Sequence, residues 1–394
     1  MRKTIFKKEL LFVFDSKKVD RLDQEKIEIA LFSNYLSGAP YYILKESILD
    51  LPCLEKALNE ITLKQKTNLI PDLSDLFVVS DDLNIPPFIK KLFTEHDKVV
   101  FFVGAGVSKL YGLPLWRELS DAAIKHLHEK AQLINNFERS TIVRSFQDPK
   151  QKLSIFHDFL PKTSPGSLDF YKSILNPSGQ IKTNPYDLLV QFQRPIFTSN
   201  IDNLLFEAIK NKLKRPTKEE NSDVQPGKIA ETIQNPIYSG FNEEIQIKSG
   251  VPYQIHGNFN SDPNSTILTI EDYLAAYKSG SGLSKFLQNL FNNHRVIFIG
   301  YSLEEFEILE YLFGKKDSIN KHYALIPIFL NEINLLSVYK RYLERLNIEV
   351  VPYYLDFNGY ERLIDLLQKW LDSINEIRTE SHFEKIAFLE SGVL

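Results

Sequence analysis

The sequence predicts an α/β protein built on a doubly wound parallel sheet, and three observations carry that prediction. Val99 to Val103 is a short, unbroken run of β-branched and aromatic residues, the pattern of a strand buried on both faces. Gly104, Ala105 and Gly106 follow at once, a small-residue turn leading into a helix that opens from Ser108. Further strand patterns at Pro195–Asp202, Val251–Gly257, Arg295–Leu303, Ala324–Leu330 and Ile348–Tyr354 alternate with helical ones. Together these describe a Rossmann-like sheet with a helical insertion between its first two strands and an N-terminal α/β extension.

In chain order, residues 1–82 form the extension, with strands at Leu10–Phe14 and Tyr41–Leu44 and helices at Asp20–Leu36 and Leu54–Leu63. They carry no chemical motif and suit an oligomerisation or partner surface. Pro86 and Pro87 start the helix before the Val99 strand. The main domain spans 83–375, with the helical insertion at about 117–192. The insertion runs as helix to Leu160, loops at Thr163–Ser167, then resumes to Leu175 and again from Tyr186 to Phe192. His126, His128 and His157 within it read as surface or packing residues. A helix from Asn203 to Leu213 follows the second strand, and the Pro-, Gly- and Asn-rich stretch from Lys214 to Gly240 is a surface excursion. Thr266–Ile270 reads as a short strand, with a helix starting at Glu271. Helices at Glu304–Phe313, Val338–Leu346 and Tyr360–Trp370 complete the alternation, and residues 376–394 form an amphipathic tail.

Composition narrows the class. The 394 residues are 43% hydrophobic and 25% charged, ordinary for a globular chain. A net charge of -4 gives no general reason to expect nucleic acid as the ligand. The single cysteine, Cys53, rules out an internal disulfide or a cysteine-rich zinc module. No apolar run reaches membrane-spanning length and the first residues lack a secretory signal, so the expected location is cytoplasmic.

Polar residues and glycines gather where the predicted strands end, which is where parallel sheets keep their chemistry. The first strand gives Gly104-Ala-Gly-Val-Ser108 with Gly112-Leu-Pro114, and a later one gives Thr198-Ser-Asn200-Ile-Asp202. His256-Gly257 and Gly300-Tyr301-Ser302 close two others. The Gly104 turn and the helix after it suit a pyrophosphate. Lys109 stands where a dinucleotide fingerprint has its last glycine, which weakens an ordinary dehydrogenase reading. Alternatives remain open at each position: a tight turn with no ligand at Gly104, helix caps at Asn200 and Asp202, and a turn histidine at His256. His294 reads as structural.

In order and spacing these four segments resemble the sirtuin family, and most closely the zinc-free sirtuin-like domains of bacterial antiviral defence proteins. The resemblance covers about residues 85–370; Trp116 after Gly-Leu-Pro and Glu271-Asp-Tyr273 before the last motif also match that subgroup. It implies NAD as substrate, with no metal. Asn200 would then position water or ribose hydroxyls, Asp202 would lie by the nicotinamide carboxamide, and His256 would be the general base, apt as an unperturbed imidazole near neutral pH. Gly104, Ala105, Gly106, Ser108, Pro114, Trp116, Thr198, Ser199 and Gly257 would line the dinucleotide site. Gly300, Tyr301 and Ser302 would contact its adenosine half. Two positions depart from the family: Ser199 stands where sirtuins often have Gln, and Glu304-Glu305 where the defence relatives have Asp.

Classical sirtuins deacylate lysine with the help of a four-cysteine zinc module, which one cysteine cannot build. Water is then the expected acceptor, making the chain an NAD hydrolase of anti-phage defence. The alternative is a non-catalytic NAD- or ADP-ribose-binding structural subunit. The resemblance further implies a homo-oligomer held in check by a partner, a HerA-type hexameric ATPase or alternatively a short Argonaute.

Overall fold

The computed structural model describes residues 85–95, 98–176, 184–214, 236–313, 321–329, 333–355 and 359–390. The elements expected within 1–82, and most of the excursion after Lys214, lie outside these residues. The chain divides into two compact units. One comprises residues 85–326, 341–351 and 370–394, and holds every candidate site residue. The other comprises 1–84, 327–340 and 352–369, whose described part is the ends of two strands and portions of helix.

Six strands form one sheet: β1 (Val99–Val103), β2 (Ile196–Thr198), β3 (Pro252–Gln254), β4 (Arg295–Ile299), β5 (His322–Phe329) and β6 (Ile348–Leu355). Their order is β3-β2-β1-β4-β5-β6, the strand order of a Rossmann fold. Pairing is parallel between β1 and β2, β1 and β4, β2 and β3, and β4 and β5. The unbroken apolar sequence of β1 is explained by its place: all five residues are buried. Phe101 packs edge-on to Phe192 at 5.3 Å on one face, and Phe102 against Phe298 and Tyr301 at 5.4 and 5.2 Å.

Helix α1 (Pro87–Glu95) enters the sheet, and α2 (Ala105–Leu110) leaves β1. Among the described residues, five further α-helices lie between α2 and β2: α3 (Trp116–Glu129), α4 (Asn136–Ser145), α5 (Pro149–Phe159), α6 (Pro165–Ile174) and α7 (Pro185–Leu189). Helices α3, α5 and α6 share a core around Leu127, Leu153, Phe156 and Tyr171, with Ile142 of α4 packed against it. This core continues into Ile201, Phe259 and Leu268 from the loops at the strand ends. Tyr171 stacks on Phe259 at 3.9 Å, so the insertion is seated directly over the carboxyl end of the sheet.

Several local expectations are corrected. Helix α2 begins at Ala105, with Ser108 inside it and Gly104 as its cap. The long helix expected after Trp116 breaks twice, because Asn135 and Asp148 each cap a new helix through their side chains. The Thr163–Ser167 loop is largely a helix start, with Ser164 capping and Pro165 in the first turn of α6. Thr266–Ile270 is not a strand: the Thr269 side chain accepts from the Asp272 N–H and starts a helix there.

The remaining helices are α8 (Leu204–Lys214), α9 (Ile270–Ala276), α10 (Gly282–Asn293), α11 (Phe306–Leu309), α12 (Ile333–Glu344) and α13 (Arg362–Glu390). Helix α11 starts later than expected because Leu303 adopts φ 56°, a left-handed turn that no helix continues through. Helix α13 runs without a break past residue 376, where the sequence placed a separate tail.

Candidate functional site

At the switch point of the sheet, where ligands usually enter a Rossmann crevice, the turns after β1 and β4 meet backbone to backbone. The Gly104 N–H donates to the Ile299 carbonyl at 3.0 Å and the Gly106 N–H to the Gly300 carbonyl at 2.8 Å. A Cβ on Gly104 would lie 2.6 Å from the Gly300 carbonyl oxygen, and one on Gly106 2.8 Å from it. Gly300 itself holds φ +59° against the Val107 N–H. The glycines are therefore required by one another, and two of the amide donors assigned to a pyrophosphate are already engaged.

The open space lies one strand over, between β1 and β2. A narrow cleft of about 30 Å³ is lined by Ala105, Ser108, Pro114, Trp116, Asn200 and Asp202, together with Leu113, Leu119, Leu175 and Ile201. Six residues selected from sequence thus share one concavity. Gly112, at φ +98°, turns the chain after α2 so that Pro114 and Trp116 return to that wall.

The floor of the cleft is a buried hydrogen-bond network. Ser108 Oγ donates to Asp202 Oδ2 at 2.7 Å, and the other Asp202 oxygen accepts from the Leu204 N–H at 2.9 Å. Asp202 thus both holds the first N–H of the helix after β2 and lines the cleft. Burial raises its pKa, while the Leu204 and Ser108 donors act in the opposite direction. The Asn200 amide lies 2.8 Å from Ser108 Oγ, 3.0 Å from the Tyr186 hydroxyl and 3.1 Å from the Gly104 carbonyl. Its Oδ1 is buried without a partner, as is Ser199 Oγ. Thr198 turns inward, donating to the Val103 carbonyl and accepting from the Asn200 N–H. From β3, Gln254 donates to the Asn200 and Asp202 carbonyls and fixes this loop from behind.

His256 stands at the end of β3 with no exposed surface. Its ring meets Trp116 edge-on at 5.9 Å, and so adjoins the cleft wall without lining the cleft. Nε2 shares a 2.7 Å hydrogen bond with the Tyr277 hydroxyl, and Nδ1 lies 3.4 Å from the Tyr273 hydroxyl. Burial drives the imidazole down to about 3; nearby Lys150 adds to this and the Ser199 backbone opposes it. The expectation of an unperturbed imidazole is therefore overturned, because this ring has no water to stabilise its charged form. Gly257, at φ +84°, lets the chain pass the Ser265 carbonyl. Glu305 Oε2 lies 3.6 Å from His256 Nε2.

Tyr301 packs into the sheet core, and Ser302 is exposed; neither lines the cleft. His157 is a packing residue, held between the Leu160 carbonyl and the Tyr171 hydroxyl. Tyr186, Gln254 and Tyr277 escaped sequence reasoning. Only Tyr277 had a readable signal, its i, i+4 spacing from Tyr273 on one helix face. Among the described residues, no group of three or more His, Cys, Asp or Glu is arranged to hold a metal, and no helix is long and apolar enough to cross a membrane.

Residues 194–351 match the model of the SIR2-like domain. Over 249 residues, 60% of this chain, it is 25% identical to Defense-associated sirtuin 2 of Bacillus subtilis. That match spans about a fifth (21%) of the relative's length. Similar solved structures include one described under the mechanism and regulation of Sir2 enzymes, at 11% identity and a TM-score of 0.35, covering 76% of this chain and all of that one. A Sir2 homolog–NAD complex is similar at 13% identity and a TM-score of 0.34, covering 75% of this chain and 95% of the other.

Proposed function

We propose that the chain is an NAD+ glycohydrolase that cleaves the nicotinamide–ribose bond with water, giving ADP-ribose and nicotinamide, and that it depletes NAD during anti-phage defence. The observation that carries this reading is the convergence of Ser108, Asn200 and Asp202 on the floor of one cleft, beside the wall that adjoins His256.

The chemistry suits that set. Nicotinamide leaves NAD+ from an already cationic ring, so its expulsion needs no general acid; the enzyme must steady an oxocarbenium-like centre and supply a nucleophile. Asn200 Oδ1, buried and without a partner, is an acceptor that a water or a ribose hydroxyl would satisfy. Asp202, held by Ser108, places a carboxyl where a carboxamide N–H can donate to it. His256 is uncharged at neutral pH, but burial makes it a weak base, so it would need a counter-charge to take up a proton. Ala105 and the Pro114–Trp116 wall offer the dinucleotide an apolar flank.

The test is incubation of NAD with the purified chain, alone and with a candidate hexameric ATPase, followed by chromatography of the products. Nicotinamide and ADP-ribose are expected from the wild type and not from Asn200→Ala or His256→Ala, with circular dichroism unchanged. Undiminished NAD loss in both variants overturns the site. The partner belongs to the proposal: a HerA-type ATPase, or a short Argonaute, would hold a homo-oligomer of this chain inactive until infection.

A second reading, a non-catalytic NAD- or ADP-ribose-binding subunit, is favoured by one feature. His256 has no exposed surface and meets tyrosine hydroxyls at both ring nitrogens. Wild-type protein that binds NAD but never releases nicotinamide, even with its partner, would establish that reading.

A further inference from the structure

We propose that Glu305 is a positioning residue for His256, holding a carboxylate against the imidazole so that a buried ring can take up a proton; this rests on His256 serving as the base. Glu305 Oε2 lies 3.6 Å from His256 Nε2, with the imidazole 0% and the Glu305 side chain 14% exposed. The same Nε2 meets the Tyr277 hydroxyl at 2.7 Å, so a hydroxyl and a carboxylate converge on one ring nitrogen.

The backbone explains why the carboxylate is there. Leu303, at φ 56°, reverses the chain after β4 and delivers Glu305 to the cap position of α11. A carboxylate at that position ordinarily accepts from its own helix N–H groups. Glu305 makes no such bond, and its Oε2 is buried without a hydrogen-bond partner. It is turned away from its helix toward the imidazole.

The need for it is physical. His256 is enclosed by the rings of Trp116, Tyr273 and Tyr277. Nothing in such a shell solvates an imidazolium, and an unpaired buried cation is strongly disfavoured. When the ring accepts a proton from a substrate or water oxygen, the adjacent carboxylate, the more basic of the two groups, offsets the charge on the ring. The other charged and titratable groups around the pair are Lys150 and Asp148 from the insertion, Glu307, Tyr273, Tyr301 and Tyr311. Lys150 is engaged by Glu307 at 2.5 Å and lies over the Tyr273 ring, which leaves Glu305 as the carboxylate facing the imidazole. Burial pushes Glu305 up to about 7, with Tyr301 and Lys150 opposing, so its charge changes near neutral pH.

The test uses the full chain labelled with 15N-histidine, the His256 signals being assigned by their loss in His256→Ala. Wild type is expected to show the His256 ring nitrogens shifting with a midpoint near 7 as Glu305 ionises. Glu305→Gln removes that step, and Glu305→Asp keeps it at a displaced midpoint. In the NAD assay Glu305→Gln lowers kcat about tenfold or more with KM little changed, and the Asp variant regains part of the loss. A wild-type ring signal that stays flat between roughly pH 5.5 and 8.5, or a step that survives in Glu305→Gln, overturns the proposal. Should Glu305→Gln fail to fold, an Asp variant with an unmoved midpoint does the same. If wild type releases no nicotinamide, the hydrolase reading fails while the ring titration still decides the pairing.

Discussion

Ser108, on the helix after β1, and Asp202, in the loop after β2, are joined by a 2.7 Å hydrogen bond with both side chains buried. That single contact ties together two strand ends that lie 94 residues apart in sequence. It also gives the buried Asp202 Oδ2 a donor.

Removing the donor should therefore be costly in a pH-dependent way. Ser108→Ala leaves a buried carboxylate oxygen unpaired, a loss of about 1–3 kcal/mol. The Asp202 pKa is raised in the folded state, so its contribution to stability is full below the unfolded value and declines as pH rises. Without Ser108 that decline steepens. Urea unfolding should show a larger deficit at neutral than at acid pH, and an equal deficit at both would separate Ser108 from the Asp202 charge.

The glycine contacts make a different prediction, one of stability. An added Cβ at Gly106 meets the Gly300 carbonyl oxygen at 2.8 Å and the Gly300 Cα at 3.0 Å, and neither can swing aside as a side chain would. Gly106→Ala is expected to destabilise the fold by about 1–3 kcal/mol. Gly300→Ala should cost more, since it adds the strain of φ +59° to a 2.7 Å contact with the Val107 N–H. Gly250→Ala is the control: it also has a positive φ, but nothing lies within 4 Å of its added Cβ. A Gly106→Ala melting temperature equal to wild type would show that the two turns separate easily.

These contacts mark the limit of what the sequence could disclose. The sheet was legible because β1, β2 and β4 are apolar runs ending in small or polar residues, and every strand-end motif does fall at a carboxyl end. The Ser108–Asn200–Asp202 grouping was legible for the same reason, since parallel strands bring such ends side by side. The state of His256 was not. Its burial depends on Trp116, Tyr273 and Tyr277, from two helices far apart in sequence, and no local pattern announces that enclosure. The glycines misled in an instructive way: a Gly-Ala-Gly turn signals close backbone approach, but not whether a ligand or another turn approaches. Thr266–Ile270 reads as β-branched strand, yet Thr269 is also a good cap, and the cap prevailed.

His256 and Glu305 should leave opposite marks on stability. Glu305 rises from 4.5 to about 7 on folding, so its contribution is present below pH 4.5 and lost as pH climbs to 7. His256 falls from 6.5 to about 3, so its contribution is present above pH 6.5 and lost as pH drops to 3. His157, lowered to about 4 chiefly by burial, adds to the histidine side. In wild type the opposing slopes partly cancel. Relative to wild type, Glu305→Gln should gain stability progressively from pH 4.5 to 7, the span of the Glu305 shift. His256→Ala should gain instead as pH falls from 6.5 to 3. Denaturation curves at several pH values read both trends, and parallel profiles for all three proteins would contradict the burial of the pair.

Trp116 is where cleft and histidine meet, so its replacement should affect both. The indole is the first residue of α3, lines the cleft and meets the His256 ring edge-on at 5.9 Å. Trp116→Ala removes one wall of the cleft and one of the three rings that keep water from the imidazole. The His256 pKa should then move upward from about 3 toward its ordinary value, because desolvation is the leading cause of its depression. On the hydrolase reading, KM for NAD rises as the apolar flank is lost. Trp116→Phe keeps a ring against His256 and should preserve the low pKa while still weakening NAD binding. The two effects are separable by histidine titration and by kinetics on the same samples. A titration unchanged in Trp116→Ala would mean that Tyr273, Tyr277 and the sheet desolvate His256 unaided, and would remove Trp116 as the link between the cleft and the base.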